Sequence, residues 1–191
     1  MNMNKIMVVE DEAIVRLDLV ETLKEAQYNV VAAVGNGEKA IEYTEKQQPD
    51  LIIMDIKMPK LDGLKASKII SKRHDIPILI LTAYSQSEFV QEAKQSNIVG
   101  YIIKPISESQ LLPAVEIAMA QSEQMRNLKQ RVTESYEAIE QRKQVEKAKG
   151  LLMQRQNISE EAAYKKLRKL SMNHHTNIQQ IAIKVIEQLG S

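Results

Sequence analysis

Five short apolar runs recur along the front of the chain, and they constrain its fold more than any other feature. They are residues 5–9, 29–34, 51–54, 78–81 and 100–103. Each run is rich in valine and isoleucine, too short for a helix, and apolar on both faces, as strands of a covered parallel sheet are. Because helical patterns separate the runs, we predict an α/β fold with a doubly wound five-stranded parallel sheet in the order 2-1-3-4-5.

Five helices are predicted between and after these strands. The first four centre on residues 13–26, 40–43, 64–70 and 89–93. Asn36 is placed to cap the second helix, and the stretches 85–88 and 107–110 are typical of capping boxes that open the fourth and the fifth. Pro113 falls early in the fifth helix, which predicts either a start one turn later or a bend.

Polar side chains stand where the strands end. The first strand ends in Glu10 and Asp11, the third in Asp55, the fourth in Thr82 and the fifth in Lys104. Ligands of such sheets bind beyond the carboxyl ends of the strands, so we expect these side chains to converge. Three converging carboxylates repel one another unless a cation joins them, and an all-oxygen ligand set suits Mg²⁺. A hydroxyl and an ammonium beside Asp55 are what a phosphoryl group needs, and a carboxylate can be the covalent nucleophile.

The back of the chain is helical. Residues 114–149 contain no Gly or Pro and predict one long amphipathic helix. Its apolar stripe is Met125, Leu128, Val132, Tyr136 and Ile139. So narrow a stripe suits another helix, which predicts a coiled-coil linker over residues 121–141; alternatively the stripe packs against the front domain of its own chain. Two short helices follow, opened by Ser159 and by a capping box at 176–179, and the last ends at Gly190. They predict a small three-helix bundle over residues 142–191.

The net charge of +1 hides an asymmetry between the two halves. Residues 1–121 hold 13 Lys and Arg against 17 Asp and Glu, whereas residues 122–191 hold 13 against 8. An acidic front and a basic back indicate two domains with different partners. On charge alone, the basic end fits a solvated face and a nucleic-acid-binding face equally well. Tyr164 is either a core aromatic or a stacking platform for a base.

Four stretches of the front resemble the signature of two-component response-regulator receivers over about residues 1–120. They are VVEDE (8–12), IIMDIKMPKLDG (52–63), ILT (80–82) and YIIKP (101–105). The resemblance implies a flavodoxin-like receiver domain in which Asp55 accepts a phosphoryl group from a sensor histidine kinase. It also implies that Glu10, Asp11, Asp55 and the backbone carbonyl of Lys57 hold Mg²⁺, that Lys104 binds the phosphoryl oxygens, and that Thr82 and Tyr101 are the switch pair.

The sequence RKQVEKAKGLLMQRQNISEEAAYKKLRKLSMNHHTNIQQIA, from Arg142 onwards, resembles the ANTAR domain of transcription antitermination regulators. The resemblance implies a three-helix RNA-binding module for paired hairpins in leader transcripts. Together with the coiled-coil linker, it predicts a regulator that dimerises on phosphorylation and prevents termination. Over its full length the chain most resembles the ethanolamine-utilisation group of these antiterminators. Small and apolar residues, Gly150 among them, are expected to pack the helices closely. The residues expected to contact RNA are Lys149, Tyr164, Lys165, Arg168 and Lys169.

Other classes of function find less support. The absence of cysteine excludes disulfides and thiolate metal sites and fits a cytoplasmic protein, and no apolar run is long enough for a membrane span. The adjacent His174 and His175 have no third ligand nearby, and no arrangement of catalytic residues indicates an enzyme. The alternatives are a promoter-binding response regulator and a pure interaction protein. Against the former, the last helix is too apolar to be a DNA-recognition helix.

Overall fold

The computed structural model describes residues 4–83 and 96–189. The chain divides into two compact units, Met1–Arg126 and Asn127–Ser191. Within the described residues, no helix is both long enough and apolar enough to cross a membrane.

A five-stranded parallel sheet forms the centre of the first unit. Its strands are β1 (Lys5–Val9), β2 (Asn29–Val34), β3 (Leu51–Asp55), β4 (Ile78–Thr82) and β5 (Ile98–Ile103). They lie in the order β2-β1-β3-β4-β5, which confirms the predicted doubly wound, flavodoxin-like topology. Every residue of β3 and β4 is buried, as expected of central strands covered on both faces.

The described residues contain six helices. They are α1 (Ala13–Glu25), α2 (Gly37–Gln47), α3 (Gly63–Ser71), α4 (Glu108–Gln156), α5 (Glu160–Asn173) and α6 (Ile178–Leu189). Asn36 caps α2 through its side chain, as predicted, and Asp62 caps α3 in the same way. The long helix begins at Glu108 with Pro113 inside it, so the later start was wrong. The helix predicted around residues 89–93 lies outside the described residues.

Two apolar cores cover the faces of the sheet. Alternate residues of β1 point to opposite faces of the sheet: Ile6 and Val8 belong to one core, and Met7 and Val9 to the other. The first core includes buried residues of α1 and of the beginning of α4, whereas the second includes residues of α2 and α3. The helices therefore lie on both sides of the sheet, and the carboxyl ends of the strands are left to the loops that bear the polar residues.

A separate small core holds the second unit together. The end of α4 contributes Ala148 and Leu152, and the two short helices supply the remaining buried residues. These are Ala163, Leu167, Ile181, Ala182 and Val185. Ser159 caps α5, as predicted. The cap of α6 is Asn177, whose Oδ1 accepts a hydrogen bond from the Gln180 N–H at 2.8 Å, and not Thr176 as the sequence suggested, because the helix begins one residue later. The predicted end at Gly190 lies outside the described residues.

Candidate acidic site and basic surface

Three carboxylates meet beyond the carboxyl ends of β1 and β3. Glu10 is fully buried, Asp11 is exposed, and Asp55 is 5% exposed. Each offers an oxygen within 4.8 Å of those of the other two. The two strands are direct neighbours in the sheet, with Val9 opposite Met54, and this register brings the acidic residues together.

Lys104 bridges two of these carboxylates. Its Nζ lies 2.7 Å from Glu10 Oε2 and 3.0 Å from Asp55 Oδ2. Burial lowers the pKa of Lys104, but the hydrogen bonds and charges of Glu10 and Asp55 outweigh it, so the pKa is raised and the ammonium stays charged. The pKa of Glu10 is raised, because burial disfavours its charged form more than the hydrogen bond from Lys104 favours it.

A cavity of about 210 Å³ opens beside these groups. Asp11, Asp55, Lys57, Thr82 and Lys104 are among the residues that line it. The donor set is all oxygen, with no sulfur or imidazole, and it carries more negative charge than Lys104 alone offsets. These residues therefore fit Mg²⁺. The structure brings the predicted ligands and Lys104 to one site; their roles stay predictions.

Two features that support this site escaped the sequence analysis. Arg16 of α1 donates from Nη1 to the backbone carbonyl of Glu10 at 2.5 Å and to that of Asp11 at 3.2 Å. Its guanidinium thus holds the segment that bears two of the acids. Gly63, at the start of α3, lies so near β3 that a Cβ there would be 2.0 Å from the carbonyl oxygen of Asp55. Arg16 lies in none of the four receiver-like motifs, and Gly63 closes the motif IIMDIKMPKLDG without showing what it packs against. Both contacts depend on how a helix packs beside the end of a strand.

The predicted switch residues differ in exposure. Thr82 is 6% exposed at the end of β4, and Tyr101 is 67% exposed on β5. Tyr101 pairs with Ile80 in the register of the two strands, two residues before Thr82. The tyrosine ring therefore stands outward in this structure.

In the second unit, the residues predicted to contact RNA differ in exposure and in their ion pairs. Tyr164 is 45% exposed, which excludes the core alternative. Lys165, Arg168 and Lys169 are exposed on α5. Lys165 pairs with Glu161 at 2.6 Å, whereas no acidic side chain among the described residues pairs with Arg168 or Lys169.

Two expectations for the second unit were wrong. Lys149 is not free at the surface: it is 7% exposed, and its Nζ lies 2.8 Å from Glu146 Oε1 and 2.7 Å from Glu160 Oε1. Gly150 does not serve close helix packing, since a Cβ there would meet nothing within 4 Å. Both errors arose because a sequence motif gives the identity of a residue and not the direction in which it faces.

The apolar stripe of α4 is uncovered in this single chain. Its exposed fractions range from 47% at Val132 to 70% at Tyr136. One long helix alone cannot bury such a stripe.

Comparison with known proteins assigns both units to families. Residues 6–116 match the response regulator receiver domain, and residues 135–186 match the ANTAR domain. The chain therefore belongs to the response regulators, proteins of two-component systems, and within them to those that join a receiver to an RNA-binding ANTAR domain. This is a family of transcriptional regulators and not of enzymes.

Individual relatives agree with this assignment. The transcriptional regulatory protein PdtaR of Mycobacterium tuberculosis is 38% identical over 187 residues, which make up 98% of this chain and 91% of that protein. Two solved receiver structures resemble part of the chain. The chemotaxis protein CheY4 of Vibrio cholerae has a TM-score of 0.56 and 30% identity, covering 61% of this chain and 98% of its own. The receiver domain of a modulated diguanylate cyclase from Desulfovibrio desulfuricans has a TM-score of 0.59 and 27% identity, covering 65% of this chain and 99% of its own.

Proposed function

We propose that this chain is a cytoplasmic, phosphorylation-activated antiterminator that dimerises and binds paired hairpins in leader RNA. The proposal rests above all on Asp55, which lies at the end of β3 with Glu10, Asp11 and Lys104 around it, in a chain that also has an ANTAR domain. We assign the receiver to residues 1–120, the coiled-coil linker to 121–141 and the RNA-binding bundle to 142–191.

In the proposed reaction, Asp55 is the nucleophile. Its carboxylate oxygen forms a bond to phosphorus while the bond from phosphorus to the imidazole nitrogen of the sensor kinase breaks, and the imidazole leaves. Glu10, Asp11, Asp55 and the carbonyl of Lys57 would hold Mg²⁺, which would offset the negative charge that the phosphoryl group adds. Lys104, already 3.0 Å from Asp55 Oδ2, binds the phosphoryl oxygens.

Phosphorylation then changes the packing of Thr82 and Tyr101. Thr82 lines the acidic cavity, and in the proposed switch its hydroxyl binds an added phosphoryl oxygen. A shift of Thr82 leaves space on the side of β5, and the exposed ring of Tyr101 packs inward. This repacking favours pairing of two chains through the stripe of α4, which is exposed in the single chain.

The basic bundle is the RNA-binding element. Lys165, Arg168 and Lys169 are exposed on α5, and Tyr164 offers a half-exposed ring beside them. Base recognition in RNA targets loops, whose unstacked bases can rest on aromatic side chains. A hairpin loop bound by each bundle of a dimer would hold two hairpins together and displace a competing terminator.

Promoter binding, the alternative, is not favoured. A DNA-recognition helix exposes polar side chains to base edges. Residues 135–186, which include most of the last helix, instead match the ANTAR domain.

We also propose that the regulated transcript belongs to ethanolamine utilisation, on the full-length resemblance alone. Two hairpins that overlap a terminator in the leader of such a transcript, bound by the phosphorylated protein, would support this assignment. Absence of binding to that leader, with binding to another, would contradict it and leave the antiterminator proposal intact.

The proposed function is tested by filter binding with one hairpin, two linked hairpins and duplex DNA, with and without a small phosphodonor and Mg²⁺. We expect mass spectrometry to show one added phosphate, and the phosphorylated protein to bind two hairpins far more tightly than one, because the second contact is intramolecular. Asp55→Asn should abolish both effects. Equal affinity for all three nucleic acids, or undiminished labelling of the variant, would overturn the proposal.

A further inference from the structure

Lys149 differs from the other basic residues of the bundle in its surroundings. It is 7% exposed, whereas Lys147, Lys165, Arg168 and Lys169 are exposed. Its ammonium lies between two carboxylates, Glu146 Oε1 at 2.8 Å and Glu160 Oε1 at 2.7 Å. Two of its three N–H donors are thus engaged by carboxylates, and little of the side chain is open to an RNA phosphate.

The two glutamates have different structural roles. Glu146 lies on α4, three residues before Lys149, so that ion pair stays within one helix. Glu160 is the first residue of α5, and its pair with Lys149 joins the two helices. Because helix ends fray unless they are held, the contact between Lys149 and Glu160 fixes the first turn of α5 against α4.

The first turn of α5 sets the position of the side chains that follow it. Tyr164 and Arg168 stand four and eight residues after Glu160, so they lie one and two turns further along the same flank of the helix. A rotation or fraying of the first turn therefore displaces the tyrosine and the arginine that the proposed RNA surface uses.

We propose that Lys149 is a positioning residue, which holds the start of α5 through Glu160 and so orients the RNA-binding flank without contacting RNA itself. This inference rests on the proposed function. Lys149 thereby differs in role from Lys165, Arg168 and Lys169, the exposed cations that are proposed to contact RNA.

The two glutamates provide a matched pair of variants for the test. Glu160→Gln and Glu146→Gln each remove one negative charge next to Lys149, but only Glu160 connects the helices. If Lys149 positions α5, Glu160→Gln should weaken RNA binding by about threefold to fivefold, the upper range for one accessible ion pair. Glu146→Gln should then leave binding unchanged or slightly stronger. If Lys149 contacts RNA, both variants free it from a competing carboxylate, and both should bind RNA more tightly.

The salt dependence of binding supplies a second readout. Lys149→Met should weaken binding while leaving the slope of log K against log salt unchanged, because no phosphate contact is lost. Lys169→Met, in contrast, should lower the slope by somewhat under one unit. Circular dichroism of each variant verifies that the bundle is folded; Glu160→Gln keeps Lys149 and decides the question if Lys149→Met does not fold.

The experiment uses the full-length phosphorylated chain and a pool of RNAs with two linked hairpins and randomised loops, enriched on the wild-type protein. Failure to enrich any RNA would remove the proposed function. Enrichment followed by equal tightening in the two glutamate variants, an unchanged affinity of Glu160→Gln, or a lowered salt slope of Lys149→Met would overturn the positioning role alone.

Discussion

At the scale of single residues, Arg16 is the supporting contact of the acidic site that is easiest to remove. Its guanidinium holds the backbone carbonyls of Glu10 and Asp11. We expect Arg16→Met to raise the Mg²⁺ concentration that half-maximal phosphorylation requires by about tenfold, the lower end for loss of a residue that orients metal ligands. Phosphate incorporation, measured by mass spectrometry across a Mg²⁺ series, checks this. Lys24→Met, which removes the same charge from the last turn of α1, should have no effect. If both variants raise the Mg²⁺ requirement equally, the loss of positive charge is the cause, and not the loss of the Arg16 hydrogen bonds.

Two glycines should respond to alanine with opposite signs. At Gly63 the added methyl would overlap the carbonyl oxygen of Asp55, so Gly63→Ala should destabilise the protein by on the order of 3 kcal/mol and slow phosphorylation. At Gly150 the methyl meets nothing, so Gly150→Ala should stabilise the bundle by up to about 1 kcal/mol through helix propensity. Urea unfolding monitored by circular dichroism measures both. A loss of stability in Gly150→Ala would contradict the open space observed there.

Residue identity and residue environment were predictable to different degrees. The convergence of Glu10, Asp11 and Asp55 followed from strand order alone, because side chains at the ends of neighbouring parallel strands must meet. The burial of Lys149 did not follow, since helical periodicity places it next to the core residue Ala148 without showing which acid lies opposite. That acid is on another helix, and its position depends on the angle between the two.

At the scale of elements, the contact between α4 and α5 should depend on pH. The hydrogen bond and charge of Lys149 lower the pKa of Glu160 below its usual value of 4.5. A lowered carboxyl pKa contributes stability that is fully present above the usual value and is lost as the pH falls through the lowered one. The melting temperature of wild type should therefore exceed that of Glu160→Gln at pH 7, and the difference should shrink at pH values well below 4.5. A difference that persists unchanged in acid would show that the glutamine disturbs packing and not the ion pair.

Element boundaries followed from capping chemistry wherever one residue could cap. Asn36 and Ser159 cap α2 and α5 as predicted, each accepting a backbone hydrogen bond from the residue three positions on. At α6 two neighbours, Thr176 and Asn177, could both cap, and the sequence analysis chose the wrong one. Asparagine is the somewhat better cap, and Ile181, four residues after Asn177, is buried in the small core. A small difference in capping preference thus moves the start of the helix by one residue.

At the scale of the whole molecule, the two units have different chemistry and one helix in common. The receiver is acidic and the bundle is basic, and α4 runs from Glu108 in the first unit to Gln156 in the second. In the proposed function, repacking in the receiver acts on RNA binding through the valency of the assembly. The proposed pairing of two chains uses the stripe of α4, which is exposed in the single chain.

The final prediction concerns that pairing. A switch from 1:99 to 99:1 needs about 5.5 kcal/mol of differential stabilisation, so the stripe itself should pair weakly until phosphorylation adds to it. Val132→Glu places a charge in the middle of the stripe, whereas Gln141→Glu adds the same charge on the opposite side of the helix. We expect light scattering to show wild type and Gln141→Glu as monomers that become dimers on phosphorylation, and Val132→Glu as a monomer in both states.

The RNA affinities should distinguish Val132→Glu from wild type and Gln141→Glu in the same way. Val132→Glu keeps its bundle intact, so it should bind a single hairpin as wild type does and lose the additional affinity for two linked hairpins. Gln141→Glu should keep that additional affinity. A tight wild-type dimer before phosphorylation would contradict the switch, and a Val132→Glu monomer that still discriminates two hairpins from one would show that valency is not the means of control.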